Sequence, residues 1–349
     1  MFRDMIGNSQ VKARLRTLAS RGRIPNSLLF AGPEGVGKRL FALGLAKMLL
    51  CDGASGDEGC GTCSTCARIG NIQIPEPSDR ARDEFRSVFF SEHPDVGMLA
   101  PYKQSVLVDA IRSLEREAFF MPYEGRSRVF VIDNADRMND AASNALLKTL
   151  EEPARTSYII LVTSRPDALL QTIRSRCQTV RFAPVDAAQI ERYLVDKRSF
   201  SVADARLGAR LSAGSISRAS KLELRDHRQR REEMLGLLES AVLRGDLAEM
   251  LRFGERMNDA KNRDSFEGLL EILEDLVREL WLLRNGSDVE TLANFDIIER
   301  LSDLAAGADA AMFAGWLEAI EELRRNFAVN VNRKLATDAL FVKMAAAGT

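Results

Sequence analysis

Three sets of residues in this 349-residue sequence have types and spacings suited to chemistry. The first is Gly32-Pro33-Glu34-Gly35-Val36-Gly37-Lys38-Arg39, which follows the apolar run Ser27-Leu28-Leu29-Phe30-Ala31 and precedes Leu40-Phe41-Ala42-Leu43. Strand, glycine loop and helix in that order let backbone N–H groups and a helix N-terminus cradle phosphates while a lysine reaches the terminal ones. This context weighs against a chance glycine turn. One position departs from the pattern. A loop that works with magnesium ends in Ser or Thr, whose hydroxyl ligates the metal, whereas Arg39 offers only donors and a fixed positive charge.

The second set closes the run Val129-Phe130-Val131-Ile132-Asp133. A continuous β-branched and aromatic run reads as a buried parallel strand, and Asp133 would emerge at its ligand edge, where an aspartate supports magnesium. The next residue, a water-polarising glutamate in working motors of this type, is Asn134, whose amide cannot act as a general base. The simpler reading of Asp133 as a strand-ending carboxylate is weakened by the glycine loop upstream. The third set is Cys51, Cys60, Cys63 and Cys66, four of the five cysteines. Four thiolates at C-x(8)-C-x(2)-C-x(2)-C, with glycines 53, 56, 59 and 61 among them, suit a closed tetrahedral zinc site with a structural role. Buried or redox-active cysteines are the competing explanation, and the regular spacing favours zinc. The two histidines, His93 and His227, are isolated and read as ordinary surface or core residues.

The elements that must hold these sets alternate. Val11, Leu15 and Leu18 mark a first helix, and a second runs from about Arg39 to Leu50. Residues 71–92, charged and broken by Pro75 and Pro77, read as an insertion. A short strand is expected within His93–Pro101, then a helix carrying Val108, Ile111, Leu114 and Ala118 with Ser105 as its cap. A helix over Asp140–Glu152 is stopped by Pro153. The strand Tyr158–Thr163, a helix-like Asp167–Thr172 and the strand Gln178–Phe182 follow. Alternation of this kind predicts an α/β module with a doubly wound parallel sheet. From 186 to 224 short helices take over, and from 226 onward the stripes are helical, as in a bundle core. The expected division is residues 1–184, carrying the cysteine module at 51–66, then a helical lid at 185–225 and an all-α domain at 226–349.

With 49 basic against 50 acidic residues there is no global basic footprint for non-specific DNA binding. No apolar run approaches the roughly 18 residues of a bilayer span, and Met1-Phe2-Arg3-Asp4 shows no signal-peptide pattern, so the expected location is cytoplasmic with no membrane partner.

The assembled motifs resemble the AAA+ clamp-loader family of bacterial DNA polymerase III. They are the loop 32–39, the cysteine module, His93-Pro94-Asp95, Asn144-Ala145-Leu146-Leu147-Lys148-Thr149-Leu150-Glu151-Glu152-Pro153, Ser175-Arg176-Cys177 and the tail Asn330-Val331-Asn332-Arg333-Lys334-Leu335-Ala336. The block 144–153 and the Ser-Arg-Cys triplet are the most specific. The resemblance implies an AAA+ module, a lid and a collar that packs into a heteropentameric ring with gamma/tau and delta subunits. The ring would act on a sliding clamp and primer-template DNA. It also implies that Ser175 and Arg176 are offered in trans to ATP on a neighbouring subunit, where a guanidinium on the transferring phosphoryl group is worth about 10³–10⁵ in rate. The competing role for Arg176 is a structural salt bridge. Gly32, Gly35, Gly37, Lys38, Arg39, Asp133 and Thr163 would form a degenerate nucleotide site with doubtful ATP binding and no hydrolysis. The motor subunits gamma and tau keep Thr or Ser at the position of Arg39 and Glu at that of Asn134. In their lid motif an arginine follows a Gly-Ser closely. Here Arg218 comes one place late after Gly214-Ser215, which counts against a nucleotide-sensing role. An ATP-hydrolysing motor of the gamma/tau type is the alternative, and a zinc-dependent nucleic-acid-binding protein is the weakest reading.

Overall fold

The computed structural model describes residue 2 and residues 5–53, 59–259, 266–289, 292–328 and 332–346. Met1, Arg3 and Asp4 of the N-terminus, and Asn330 and Val331 of the tail motif, lie outside them. The chain divides into two compact units, residues 1–193 with 212–220 and residues 194–211 with 221–349. The span 185–225, expected as a lid, contributes to both.

The first unit is built on six strands: β1 (Ser27–Ala31), β2 (Phe89–Phe90), β3 (Val96–Leu99), β4 (Arg128–Ile132), β5 (Ser157–Thr163) and β6 (Gln178–Arg181). Their order is β2-β3-β4-β5-β1-β6, all parallel except the antiparallel edge pair of β2 and β3. Alternate residues of one strand feed two separate cores. Leu28, Phe30, Val129 and Val131 pack on one face with Val11 and Leu15 of α1 (Ser9–Ser20) and Phe41 and Leu45 of α2 (Lys38–Leu50). Leu29, Phe130, Ile132 and Ile159 pack on the other, a face that also holds Ile111 and Leu114 of α4 (Val108–Phe119) and Leu146 of α5 (Asp140–Glu151). Helices on both faces explain why the strands read as continuous apolar runs, and they make this the doubly wound α/β module that the alternation predicts. The chain leaves β1, crosses to the edge pair β2 and β3, returns through β4 and β5 and sets β6 on the far side. The loop after β1 therefore emerges at the switch point of the sheet.

Local details differ from expectation for identifiable reasons. Ser105 does not cap α4: its N–H and C=O are taken by Tyr102, and Leu107 stands at the cap without a side-chain bond. Pro166 starts only a single turn, Pro166–Ala168, and the helix proper is α6 (Gln171–Arg176), so Arg176 closes a helix rather than following one. Within 71–92, Phe85 packs edge-on against Phe89 and Tyr102 at 5.1 and 5.6 Å, giving the insertion a small core and the edge strand β2.

His93-Pro94-Asp95 has a structural meaning. The Asp95 carboxylate, fully buried, accepts the backbone N–H groups of Tyr123, Glu124 and Gly125 at 2.7–2.9 Å. Its other neighbour is the guanidinium of Arg128, at 3.6 Å and 0% exposed, which also meets Glu117 Oε2 at 3.0 Å and lies over the rings of Phe90, Tyr123 and Phe130. A buried charge survives only with such partners, and removing one leaves the others uncompensated.

Among the described residues the second unit is helical, with no strand. Met234, Leu237 and Leu238 of α10 (Leu224–Glu239), Leu270, Leu273 and Leu276 of α12 (Phe266–Arg284), and Trp316 and Ile320 of α14 (Ala310–Ala328) share one core with Leu340 and Phe341 of α15 (Arg333–Ala346). All of these but Phe341 belong to the stripes read from the sequence, of which Leu243 and Leu335 are instead exposed. A polar knot sits beside it. Arg231 donates to Asp296 at 2.6 and 2.7 Å and to Asn294 at 2.9 Å, while Glu279 accepts the N–H groups of Ala293 and Asn294. Arg210 of α8 (Val202–Leu211) donates to the Leu292 carbonyl, which ties α8 into the same knot. His227 is packed nearby, and burial, with Arg231 beside it, pushes its pKa down to about 4. No described helix is long and apolar enough to cross a membrane.

Two outcomes follow from these clusters. Asp95→Ala should destabilise the protein by about 3–5 kcal/mol, read as a lower urea midpoint at unchanged slope. For His227 the folded pKa lies below the unfolded value of 6.5, so the unfolded chain binds more protons between about 6.5 and about 4. Stability is complete above that window and falls as pH drops through it. His227→Gln should flatten this part of the acid limb in pH-dependent denaturation, and an unchanged limb would show that His227 does not contribute to it.

Candidate functional site

The glycine loop starts under constraint. Gly32 N–H donates to the Thr163 carbonyl and Phe182 N–H to that of Ala31, and a Cβ on Gly32 would lie 2.4 Å from the Phe182 carbonyl oxygen. Only glycine fits that approach. Gly35 takes φ +75°, and a Cβ there would meet Ser215 Oγ at 2.0 Å. Ser217 N–H donates to the Gly35 carbonyl at 3.0 Å. The start of α9 (Ile216–Lys221) is thereby seated on the loop tip. Gly37 stands at the N-cap of α2.

Lys38, the first residue of α2, is 6% exposed and donates from Nζ to the carbonyl oxygens of Gly32 at 2.7 Å and Pro33 at 2.6 Å. Burial lowers its pKa, against the pull of Asp133, Glu34 and Asp136. Arg39 reaches Asp133, N to O 3.6 Å, from a position 55% exposed. Burial raises the pKa of Asp133, and Arg39 is the chief opposing influence. Asn134 has φ +48°, a left-handed conformation that Asn tolerates better than Glu, and its N–H donates to Asp133 Oδ1 at 3.1 Å. Thr163 Oγ1 donates to Asp136 Oδ1 at 2.7 Å, and Arg165 doubles on Asp136 Oδ2 at 2.9 and 3.0 Å. The structure thus gathers Gly32, Lys38, Arg39, Asp133 and Thr163 at one edge of the sheet and gives each polar group an internal partner.

Ser175 and Arg176 stand just before the start of β6, toward the opposite end of the parallel strands from Asp133 and Thr163. Ser175 lines a cleft of about 730 Å³ together with Gly32, Pro33, Arg174, Arg181 and Phe182. Arg176 is 34% exposed and turns away, with one terminal nitrogen donating to the Thr172 carbonyl at 2.9 Å and the other 2.6 Å from Glu151 Oε1. Cys177 is a buried member of the core on that face, with its thiol pushed up to about 12 by burial. Asp136, Arg165 and Glu151 escaped the sequence reading. Asp136 has a weak signal, a second carboxylate three places after the strand-ending Asp133, but Glu151 lies within a helix with nothing to distinguish it from Glu152.

The four cysteines converge. Their Sγ atoms all lie within 4.8 Å of one another, with Cys51 to Cys60 at 3.5 Å and Cys51 to Cys63 at 3.8 Å. Zinc bonded to sulfur at about 2.3 Å sets tetrahedral edges of about 3.8 Å, so the spacing fits. Backbone N–H groups of Cys60, Cys63 and Cys66 point at the sulfurs of Cys51, Cys60 and Cys63. Such donors stabilise thiolates. Cys51 closes α2, Cys63 caps α3 (Ser64–Gly70), and Ile69 of α3 enters the core, fixing the module to the sheet. The set could hold a metal ion such as zinc.

Residues 7–186 match the family model described as DNA polymerase III, delta subunit. The chain is 30% identical over 331 residues to DNA polymerase III subunit delta' of Escherichia coli, covering 93% of this chain and 90% of that one. To subunit delta' of Bacillus subtilis it is 28% identical over 313 residues, covering 89% and 88%. Subunit gamma/tau of Mycobacterium tuberculosis matches at 33% over 180 residues, 50% of this chain and 27% of that one.

Elemental analysis of the purified protein is expected to give one zinc per chain. Cys63→Ser should lower that figure and loosen residues 51–70 to proteolysis while leaving the sheet folded. A metal-free protein prepared without chelator would remove the assignment.

Proposed function

Because the chain belongs to the family of DNA polymerase III delta-prime subunits, we propose that it is a non-hydrolysing member of the clamp-loader ring. In this reading it joins gamma/tau and delta subunits in a heteropentamer that places a sliding clamp on primer-template DNA. The observation that carries the non-hydrolysing part is the state of the loop. Lys38 is spent on the carbonyls of Gly32 and Pro33, and Arg39 lies against Asp133 where a metal-bound site needs a hydroxyl and a divalent ion. Asn134 offers no base for the attacking water.

Chemistry then falls to Arg176 in trans. A fixed guanidinium stabilises charge on a phosphoryl group in transfer without needing a nucleotide of its own. Arg176 has the exposure for that role, and Ser175 beside it holds the last turn of α6 by donating to the Thr172 carbonyl at 3.1 Å. Zinc in the cysteine set acts as a structural clamp, since four thiolates leave no open position.

The isolated chain should hydrolyse no measurable ATP. Mixed with gamma and delta partners, clamp and primed DNA, it should support an ATPase that Arg176→Ala lowers by about 10³-fold at the site the arginine faces. Robust hydrolysis by the isolated chain would sink the non-hydrolysing reading, and failure to co-purify with the other subunits would sink the ring.

A further inference from the structure

Arg176 carries five N–H donors, as every arginine does, and the free chain uses two of its groups in a particular way. One terminal nitrogen donates to Thr172 O, four residues back in its own helix, and the other meets Glu151 Oε1 at the end of α5. The guanidinium is therefore held between the ends of two helices that both pack on the same face of the sheet. We propose that Glu151 is a positioning residue for the finger arginine. Its carboxylate fixes the guanidinium plane before a neighbour's nucleotide arrives, so that Nε–H and the second hydrogen on each terminal nitrogen are left to engage the phosphoryl oxygens. This rests on the reading of Arg176 as a finger acting in trans.

Three observations support the assignment. The contact is short and runs between residues on different elements, so it fixes direction in a way that the bond to Thr172 alone cannot. It is half-open to water, with Arg176 34% and Glu151 47% exposed, and an exposed pair of this kind shifts equilibria only a few-fold. The pair thus orients the arginine without trapping it. Finally, Glu151 and Glu152 are adjacent carboxylates of which only Glu151 is paired with Arg176, so the local sequence supplies its own control position.

The effect expected of orientation is on the transition state. In the assembled loader with clamp and primed DNA, Glu151→Ala should lower kcat for ATP about three- to tenfold with KM little changed, while Glu151→Gln, which keeps an acceptor at the same reach, should recover part of the loss. Glu152→Ala should leave kcat as in the parent. In the Arg176→Ala background Glu151→Ala should cost nothing further. An equal loss in both backgrounds would make Glu151 merely structural, and no loss from Glu151→Ala where Arg176→Ala is severe would overturn the positioning role. No loss from Arg176→Ala itself would overturn the finger reading instead. Native assembly of each variant, followed by gel filtration, separates these results from a failure to fold.

Discussion

A carboxylate at the end of a buried strand is costly to ionise without a partner, and in this protein a cation of the chain itself stands beside it. Asp133 emerges from β4 into a largely buried position where ionisation is costly, and Arg39 lies opposite it on the first turn of α2. Much of the loop's arrangement is consistent with that pairing. With a guanidinium installed, a divalent ion beside Asp133 would face a fixed like charge, and the lysine next to it can settle on the loop's own carbonyls. The left-handed turn at Asn134 completes the edge by directing a backbone N–H at the same carboxylate. Arg39 and Asn134 therefore belong to one electrostatic arrangement around Asp133.

Charge burial of the same kind organises the rest of the molecule. In the first unit Asp95 and Arg128 hold the turn at 123–125 against the start of β4. In the second, Arg231, Glu279, Asn294 and Asp296 gather the stretch 293–296 between α10 and α12. Buried polar clusters contribute less to stability than apolar packing of equal volume would, and what they supply is a single allowed arrangement of the loops they tie down.

Much of this was legible in the residues, and the limits of legibility are physical. The continuous apolar runs of β1 and β4 and the helical stripes of α12 and α14 announce themselves because burial demands them. The four cysteines were legible because their short, regular spacing lets four thiols converge. The glycine loop could be read because Gly32 admits no side chain beside Phe182. By contrast, Arg128 opens what looks like a purely apolar strand, and nothing local says that Asp95 and Glu117 wait for it. Ser105 matches the composition of a cap, yet a backbone pairing with Tyr102 outcompetes it. The meeting of Glu151 with Arg176 depends on how α5 and α6 pack, a fact held in no short window of sequence.

The tethered cation at Arg39 has a further consequence. A site that borrows its positive charge from solution gains or loses it with magnesium and nucleotide supply, and its shape follows the metabolic state of the cell. Here the charge is covalently attached, its translational entropy already surrendered when the chain was made, so its occupancy near Asp133 is independent of concentration. Such a loop keeps one electrostatic state whatever the supply of magnesium or nucleotide around it.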